Sequence, residues 1–358
     1  MPVTPDRHDD APARRAKGRQ PRPRHGRRAW PAGVLAAACT AVLPGVTAHA
    51  AAADSEPRPV SRLYVTNVSA DTLSVIGVRN NNLLATVPVG ATPTDVEVDA
   101  GRARAYVVNR EGDSVSVVDT GTNTVVATIA VGDAPWDVAL DPGRARAYVV
   151  NAIGDSVSVI DTAANAVVAT VPVGDAPTGV TVDPGRARAY VTNGGADSVS
   201  VIDTAANAVV ATVAVGDRPS GAAVDAGRGR AYVADEGSDA VSVLDTATNA
   251  VVATVPVGGL PVSVAVDPGR ARAYVVNADD DTVTVLDTAT DAVVATLPVG
   301  DEPARVAVDP AAGRAYVTNS AADTVTVIST DTDTVVNTLN GGDEPVAAAV
   351  LTAAPKGG

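Results

Sequence analysis

The chain has 358 residues, is 46% hydrophobic and 3% aromatic with no Phe, and carries a formal net charge of −14. Its first fifty residues hold nine of the 27 Lys and Arg but three of the 41 Asp and Glu, so the remainder bears about −20, a field that repels phosphate and disfavours nucleic acid. That remainder has no His, Cys, Met or Phe, which removes Ser-His-Asp and Cys-His nucleophiles and metal or haem sites built on imidazole or thiolate.

Residues 1–50 have the order of an export leader. A basic region ends in Arg27-Arg28, a modest apolar run follows from Ala29 to about Val46, and Ala48 and Ala50 fit an A-x-A cleavage site. The Arg pair admits the twin-arginine route beside the general secretory one. Pro31, Gly33, Pro44 and Gly45 interrupt the apolar run, so it is a poor membrane span, and Cys39 reads as a small residue of a discarded leader. Residues 51–57 read as a short linker and 354–358 as a tail, with no transmembrane segment between them.

Residues 58–353 repeat with a period of 42. The tyrosines are Tyr64, Tyr106, Tyr148, Tyr190, Tyr232, Tyr274 and Tyr316, every interval equal; Gly90 and Pro93 recur on the same beat. Each unit reads as four short strands: in the second full unit "WDVALD", "ARAYVVN", "SVSVID" and "AVVATVPV", divided by "PGR", "AIGD" and "TAAN". Val, Ile, Thr and Tyr suit a pleated, buried surface, and Gly, Pro, Asn and Asp supply the turn dihedrals. Four strands per unit, seven times over, predict an all-β fold, a seven-bladed β-propeller with four-stranded blades. The chain enters on the second strand type, "RLYVTN", and leaves on the first, "DEPVAAAVLT". N- and C-terminal strands therefore share one blade and close the ring, removing its open edges.

"LYVTN", "AYVTN" (twice), "SVSVIDT", "VVATVPVG" and "VAVDP" resemble the YVTN-repeat β-propeller family, the surface-layer-like repeat proteins. The resemblance covers the whole of 58–353. It implies an extracytoplasmic propeller, secreted or at the cell surface, and says little about a ligand, because fold does not carry function.

Sevenfold repetition argues for architecture. The tyrosines should pack between blades, each hydroxyl with a partner. Arginines two residues before them (Arg62, Arg104 and their equivalents) tie neighbouring blades or, alternatively, line a channel and grip an anion. Asn109 should face Asp113 across its hairpin, and Asp119 and its equivalents should hold the "DTxxN" turns. No cofactor is called for. Calcium stays open because it needs only oxygens, although the acidic loop Asn277 to Asp281 reads as a solvated turn.

Specificity belongs where repeats differ. The pairs after the recurrent proline, Thr94-Asp95, Trp136-Asp137, Thr178-Gly179, Ser220-Gly221, Val262-Ser263, Ala304-Arg305 and Val346-Ala347, begin the strand expected nearest the channel and should converge on one rim. Trp136, Asp137, Asp95, Arg218, Glu302 and Arg305 are the candidate ligand-binding residues, with no catalytic or metal residue named. Trp136 either stacks on a sugar or peptide side chain or plugs the channel. The variable loops Arg110-Glu111, Ile153-Gly154, Glu236-Gly237 and Asp279-Asp280 are expected at the opposite or outer rim. The leading expectation is a monomeric, non-enzymatic binding or scaffold module for a cell-wall polymer, carbohydrate or protein. The alternative is a carboxylate-dependent hydrolase or lyase acting on a small substrate in the channel, marked by an asymmetric pocket and a carboxyl of raised pKa.

Overall fold

The computed structural model describes residues 60–353. The expected leader, linker and tail lie outside the described residues, as do the first two positions of the expected repeat region. Among the described residues every regular element is a β-strand, and no helix is long and apolar enough to cross a membrane.

The strands form seven four-stranded antiparallel sheets. The second blade shows the plan: β4 (Pro93–Asp99), β5 (Arg104–Asn109), β6 (Ser114–Asp119) and β7 (Thr124–Ala130) lie in sheet order. In the first blade, β28 (Pro345–Ala353) pairs with β1 (Val60–Asn67), followed by β2 (Thr72–Gly77) and β3 (Asn82–Pro88). The register runs from Val60↔Ala353 to Asn67↔Pro345, so the last strand completes the sheet begun by the first three. The ring closes as its terminal sequences require.

The core lies between blades. Tyr148, Val150, Val157 and Val159 of the third blade pack with Val180, Ala189, Val191 and Ile202 of the fourth. All seven tyrosines are fully buried, each contributing about 2–3 kcal/mol of hydrophobic stabilisation. Their hydroxyls mostly reach the next blade: Tyr106 donates to the Thr162 carbonyl at 3.4 Å and Tyr190 to that of Thr246 at 3.4 Å. Two depart from the expectation. The Tyr148 and Tyr316 hydroxyls have no hydrogen-bond partner, although Tyr148 leans toward Thr204.

The polar beat resolves into turn chemistry. Asp141 Oδ1 accepts the Arg144 N–H and Oδ2 takes its guanidinium at 2.9 Å, while the same Nη1 donates to the Pro184 carbonyl of the next blade at 3.1 Å. Arg104 pairs with Asp119 of its own blade, and Asp119 also accepts the N–H groups of Gly121 and Thr122. The arginines are thus consumed at blade ends, and the ring of channel-lining arginines is not formed. Asn109 faces Ser114 rather than Asp113. Its Nδ2 donates to Ser114 and Ser116, and its Oδ1 accepts the Gly90 N–H. Asp113 instead accepts the Ala134 N–H from the crossover to the next blade. The Asn side chain explains the glycine beat, since a Cβ on Gly132 would lie 2.6 Å from Asn151 Cγ.

Candidate functional site at the channel mouth

The innermost strands β4, β8 (Pro135–Asp141), β12 (Pro177–Asp183), β16 (Pro219–Asp225), β20 (Pro261–Asp267), β24 (Pro303–Asp309) and β28 line a central cavity of about 340 Å³. In each, the recurrent proline pairs with the last residue of its neighbour, and the ladder shifts register straight afterwards: Pro93↔Asn109 is followed by Asp95↔Val108. Such a bulge re-aims the side chains beside it. It falls on the positions where the repeats differ.

Three of these side chains meet although they come from distant parts of the sequence. Arg305 of the seventh blade reaches across the channel to Asp137 of the third, Nη1 to Oδ1 at 2.6 Å, with Asp95 Oδ1 of the second blade at 3.7 Å. The second oxygen of each carboxylate is fixed by the following blade: Asp95 Oδ2 accepts the Val138 N–H at 2.9 Å and Asp137 Oδ2 accepts the Val180 N–H at 2.6 Å. The Arg305 N–H donates to Thr318 Oγ1, which anchors the base of the long side chain. Burial works against the Arg305 charge, but Asp137 and Asp95 more than offset it and raise its pKa. Burial, only partly countered by Arg305, lifts the Asp95 carboxyl well above the usual range, and Asp137 beside it adds to the rise. The mouth is therefore spanned by the Arg305–Asp137 ion pair, with Asp95 beside it biased by burial toward its neutral form.

Glu97, two residues further along β4, faces the same cavity. Ala139, Thr181, Ala223, Ala265, Ala307 and Ala349 hold the equivalent positions, so it is the single charge in that layer. Its carboxyl is reached from the lumen yet lies deep in the ring, and burial together with the Asp137 charge pushes its pKa up to about 7. The pairs after each proline did not include it; the same comparison between repeats, carried two residues further, finds it.

The other candidates do not join the cluster. Trp136 is partly exposed at the rim, with the Arg110 guanidinium 5.1 Å from its ring centroid, a cation–π contact between blades. It does not line the cavity, so Arg305 and its carboxylates, not the indole, obstruct the mouth. Arg218 and Glu302 are exposed turn residues with φ of 49° and 50°. Their N–H groups donate to Asp197 and Asp281, and Arg218 stands 4.0 Å from Glu236. Among the described residues no group of three or more His, Cys, Asp or Glu could hold a metal ion; in the acidic loop, Asp280 accepts the Gly259 N–H at 2.7 Å and Asp281 that of Glu302.

One expectation reverses. Because Pro93 pairs with Asn109, the loops after β5 and its equivalents share the rim of the channel mouth, where Arg110 covers Trp136. That rim gathers Glu111, Asp133, Asp217, Asp279, Asp280, Asp301, Glu302 and Glu344 against Arg110 and Arg218. The opposite rim carries the turns of the "PGR" and "TAAN" types.

No family model matches the sequence, and no curated protein matches it either. Solved structures do resemble the fold. Kuenenia stuttgartiensis hydrazine synthase is similar at 24% identity and TM-score 0.66, over 72% of this chain and 89% of that one. A functionally unknown protein from Desulfotomaculum acetoxidans DSM 771 gives 16% identity and TM-score 0.72, over 82% and 99%. Apo AztD from Citrobacter koseri gives 15% identity and TM-score 0.59, over 84% and 100%. At these identities the likeness establishes the seven-bladed β-propeller and leaves function to the residues of this chain.

Proposed function

We propose that the protein is an extracytoplasmic binding module, akin to the YVTN-repeat surface-layer-like propellers, whose acidic rim receives a cell-surface polymer or protein bearing basic groups. One observation carries this reading: the differences between repeats on the innermost strands, at Asp95, Trp136, Asp137 and Arg305, and in the loops beside them collect at a single rim, while the other rim varies less except at the last two seams. Acidic loops attract cationic partners and discourage nucleic acid, and the Arg110–Trp136 pair adds an amphipathic surface suited to recognition. The basic leader and the YVTN-like repeats support secretion or surface display.

The test compares retention on immobilised cell-surface fractions. Wild type should be retained at low salt and released as salt rises. The triple variant Glu111→Gln/Asp133→Asn/Trp136→Ala should lose retention by roughly tenfold, and Arg144→Ala on the opposite rim should not. Equal retention of all three, or of none, rules the rim out.

A second reading is favoured by the asymmetric cavity, where Glu97 titrates near neutrality as a general base requires. On that reading the channel hydrolyses or eliminates a small substrate. Glu97→Gln would then abolish turnover in a screen of small esters, lactones and glycosides, and a wild-type protein inert toward all of them removes it.

A further inference from the structure

The seam where the ring closes lacks the acidic residues of the seam before it. It differs from the remaining seams, which carry Gly or Ala at the Asp331 position, in having Arg79 there, Ala312 in place of the turn arginine and Ser329 in place of the strand-end aspartate. Between the sixth and seventh blades, Arg270 Nε donates to Asp331 at 2.7 Å, Arg272 Nε donates to Asp333 at 2.9 Å, and the Tyr274 hydroxyl donates to Asp333 at 2.8 Å. Arg272 also pairs with Asp287 of its own blade at 3.1 Å. One period later, between the seventh blade and the first, the counterparts are Ala312, Arg314 and Tyr316, facing Arg79 and Asn81, and Ser329 stands where Asp287 stood. Every carboxylate of the arrangement is gone, and an arginine occupies one vacated place.

What remains is a cavity of about 320 Å³ lined by Arg314, Arg79 and Tyr316 together with Val78, Val327 and Val336. Among the described residues Arg314 makes one hydrogen bond, to the Gly313 carbonyl at 2.8 Å, and no ion pair to a carboxylate. Tyr316 is fully buried, and its hydroxyl has no partner. Burial, reinforced by Asp309, pushes its pKa up, so it is a donor at any physiological pH. Asp309 itself is satisfied by Ser61 Oγ at 2.8 Å and the Ala312 N–H at 3.0 Å. An orphaned buried donor is costly, and a guanidinium beside it presents the fork that matches a carboxylate. The valines disfavour a compact, strongly hydrated ion and suit an apolar body, and the volume is that of a small-molecule site.

We infer that this closure-seam cavity binds a small organic carboxylate, its anionic group taken by the Arg314 guanidinium and the Tyr316 hydroxyl and its apolar body seated on Val78, Val327 and Val336. The inference is independent of the rim and of the channel.

Titration calorimetry of the full chain with hexanoate, benzoate, acetate and inorganic phosphate tests it. Hexanoate or benzoate should bind saturably, with acetate and phosphate at least roughly tenfold weaker, because they lack the apolar part. Arg314→Gln should weaken binding by about tenfold or more. Tyr316→Phe should weaken it about fivefold while raising the melting temperature of the free protein, since the unpartnered hydroxyl is removed. Arg272→Gln, at the fully paired seam, should leave affinity unchanged. Absence of saturable binding to either apolar carboxylate, phosphate binding as tightly as hexanoate, or wild-type affinity in the Tyr316→Phe protein each overturns the assignment.

Discussion

Asp235 shows how one atom changes what a repeated position does. Six blades carry Asn there, and in four of them, as at Asn109, the amide donates to hydroxyls and accepts a glycine N–H. In the fifth blade the carboxylate accepts from Ser242 Oγ at 2.6 Å and leaves Oδ1 buried without a partner. Burial pushes its pKa up to about 6 from 3.8. A raised folded-state pKa means that the native state holds an extra proton between about pH 4 and pH 6, so stability falls as pH rises through that window and falls no further above it. Asp235→Asn should therefore stabilise the protein by about 2 kcal/mol at pH 7.5, with the gain shrinking toward zero near pH 4. Denaturant melts of both proteins at the two pH values measure this, and a gain independent of pH contradicts it. Glu97 works the same way between pH 4.5 and about 7, so Glu97→Gln should gain about 1 kcal/mol above pH 7, a smaller effect because water in the lumen screens its charge. At this scale the sequence was partly legible. Asp95, Asp137 and Arg305 stood out as breaks in the repeat, but their meeting across the ring needs the third dimension, since Arg305 and Asp137 are 168 positions apart.

The innermost strands carry both the bulges and the tightest packing. Gly221 of β16 lies so close to β20 that a Cβ would stand 2.8 Å from Ser263 Cα and 2.9 Å from the Val262 carbonyl. Both contacts are to backbone, which cannot swing aside. Gly221→Ala should thus cost about 2 kcal/mol through overpacking, visible as a lowered melting temperature. An unchanged melt would mean that the two blades can part without strain. Gly121, whose Cβ would meet only the Asp119 carboxylate at 3.2 Å, is the milder comparison. Strand number, strand order and the Asp119-type turns were readable from period, β-branched residues and Asx positions, because those features are local, whereas the partners of Asn109 and Asp113 were not. The placement of the variable loops was misjudged because strand direction decides it: alternate loops of an antiparallel sheet fall on the same side, so the turn after β5 returns to the start of β4.

For the whole molecule, stability rests on closure. Each core cluster lies between blades, and the first–seventh cluster joins Leu63, Val65 and Ile76 to Tyr316, Val325 and Leu339. Removing residues 345–358 strips β28 from β1 and exposes an unpaired edge beside that cluster, which invites pairing with other chains. The truncated protein should lose its single sharp thermal transition and elute partly as larger species in size-exclusion chromatography. A truncated chain that melts as sharply as the full one would show that the ring does not depend on its final strand. Closure was legible from the missing first strand, whereas the cavity beside it was not, because it arises from substitutions scattered over two ends of the chain. The pairing of Val60 with Ala353 has one more consequence. Both ends of the ring leave from the rim opposite the acidic one, roughly 20 Å, one strand length, from the channel mouth. Anything joined to either end would hold the acidic face outward like a dish on its mast, and two cargoes fused to the two ends would be held side by side.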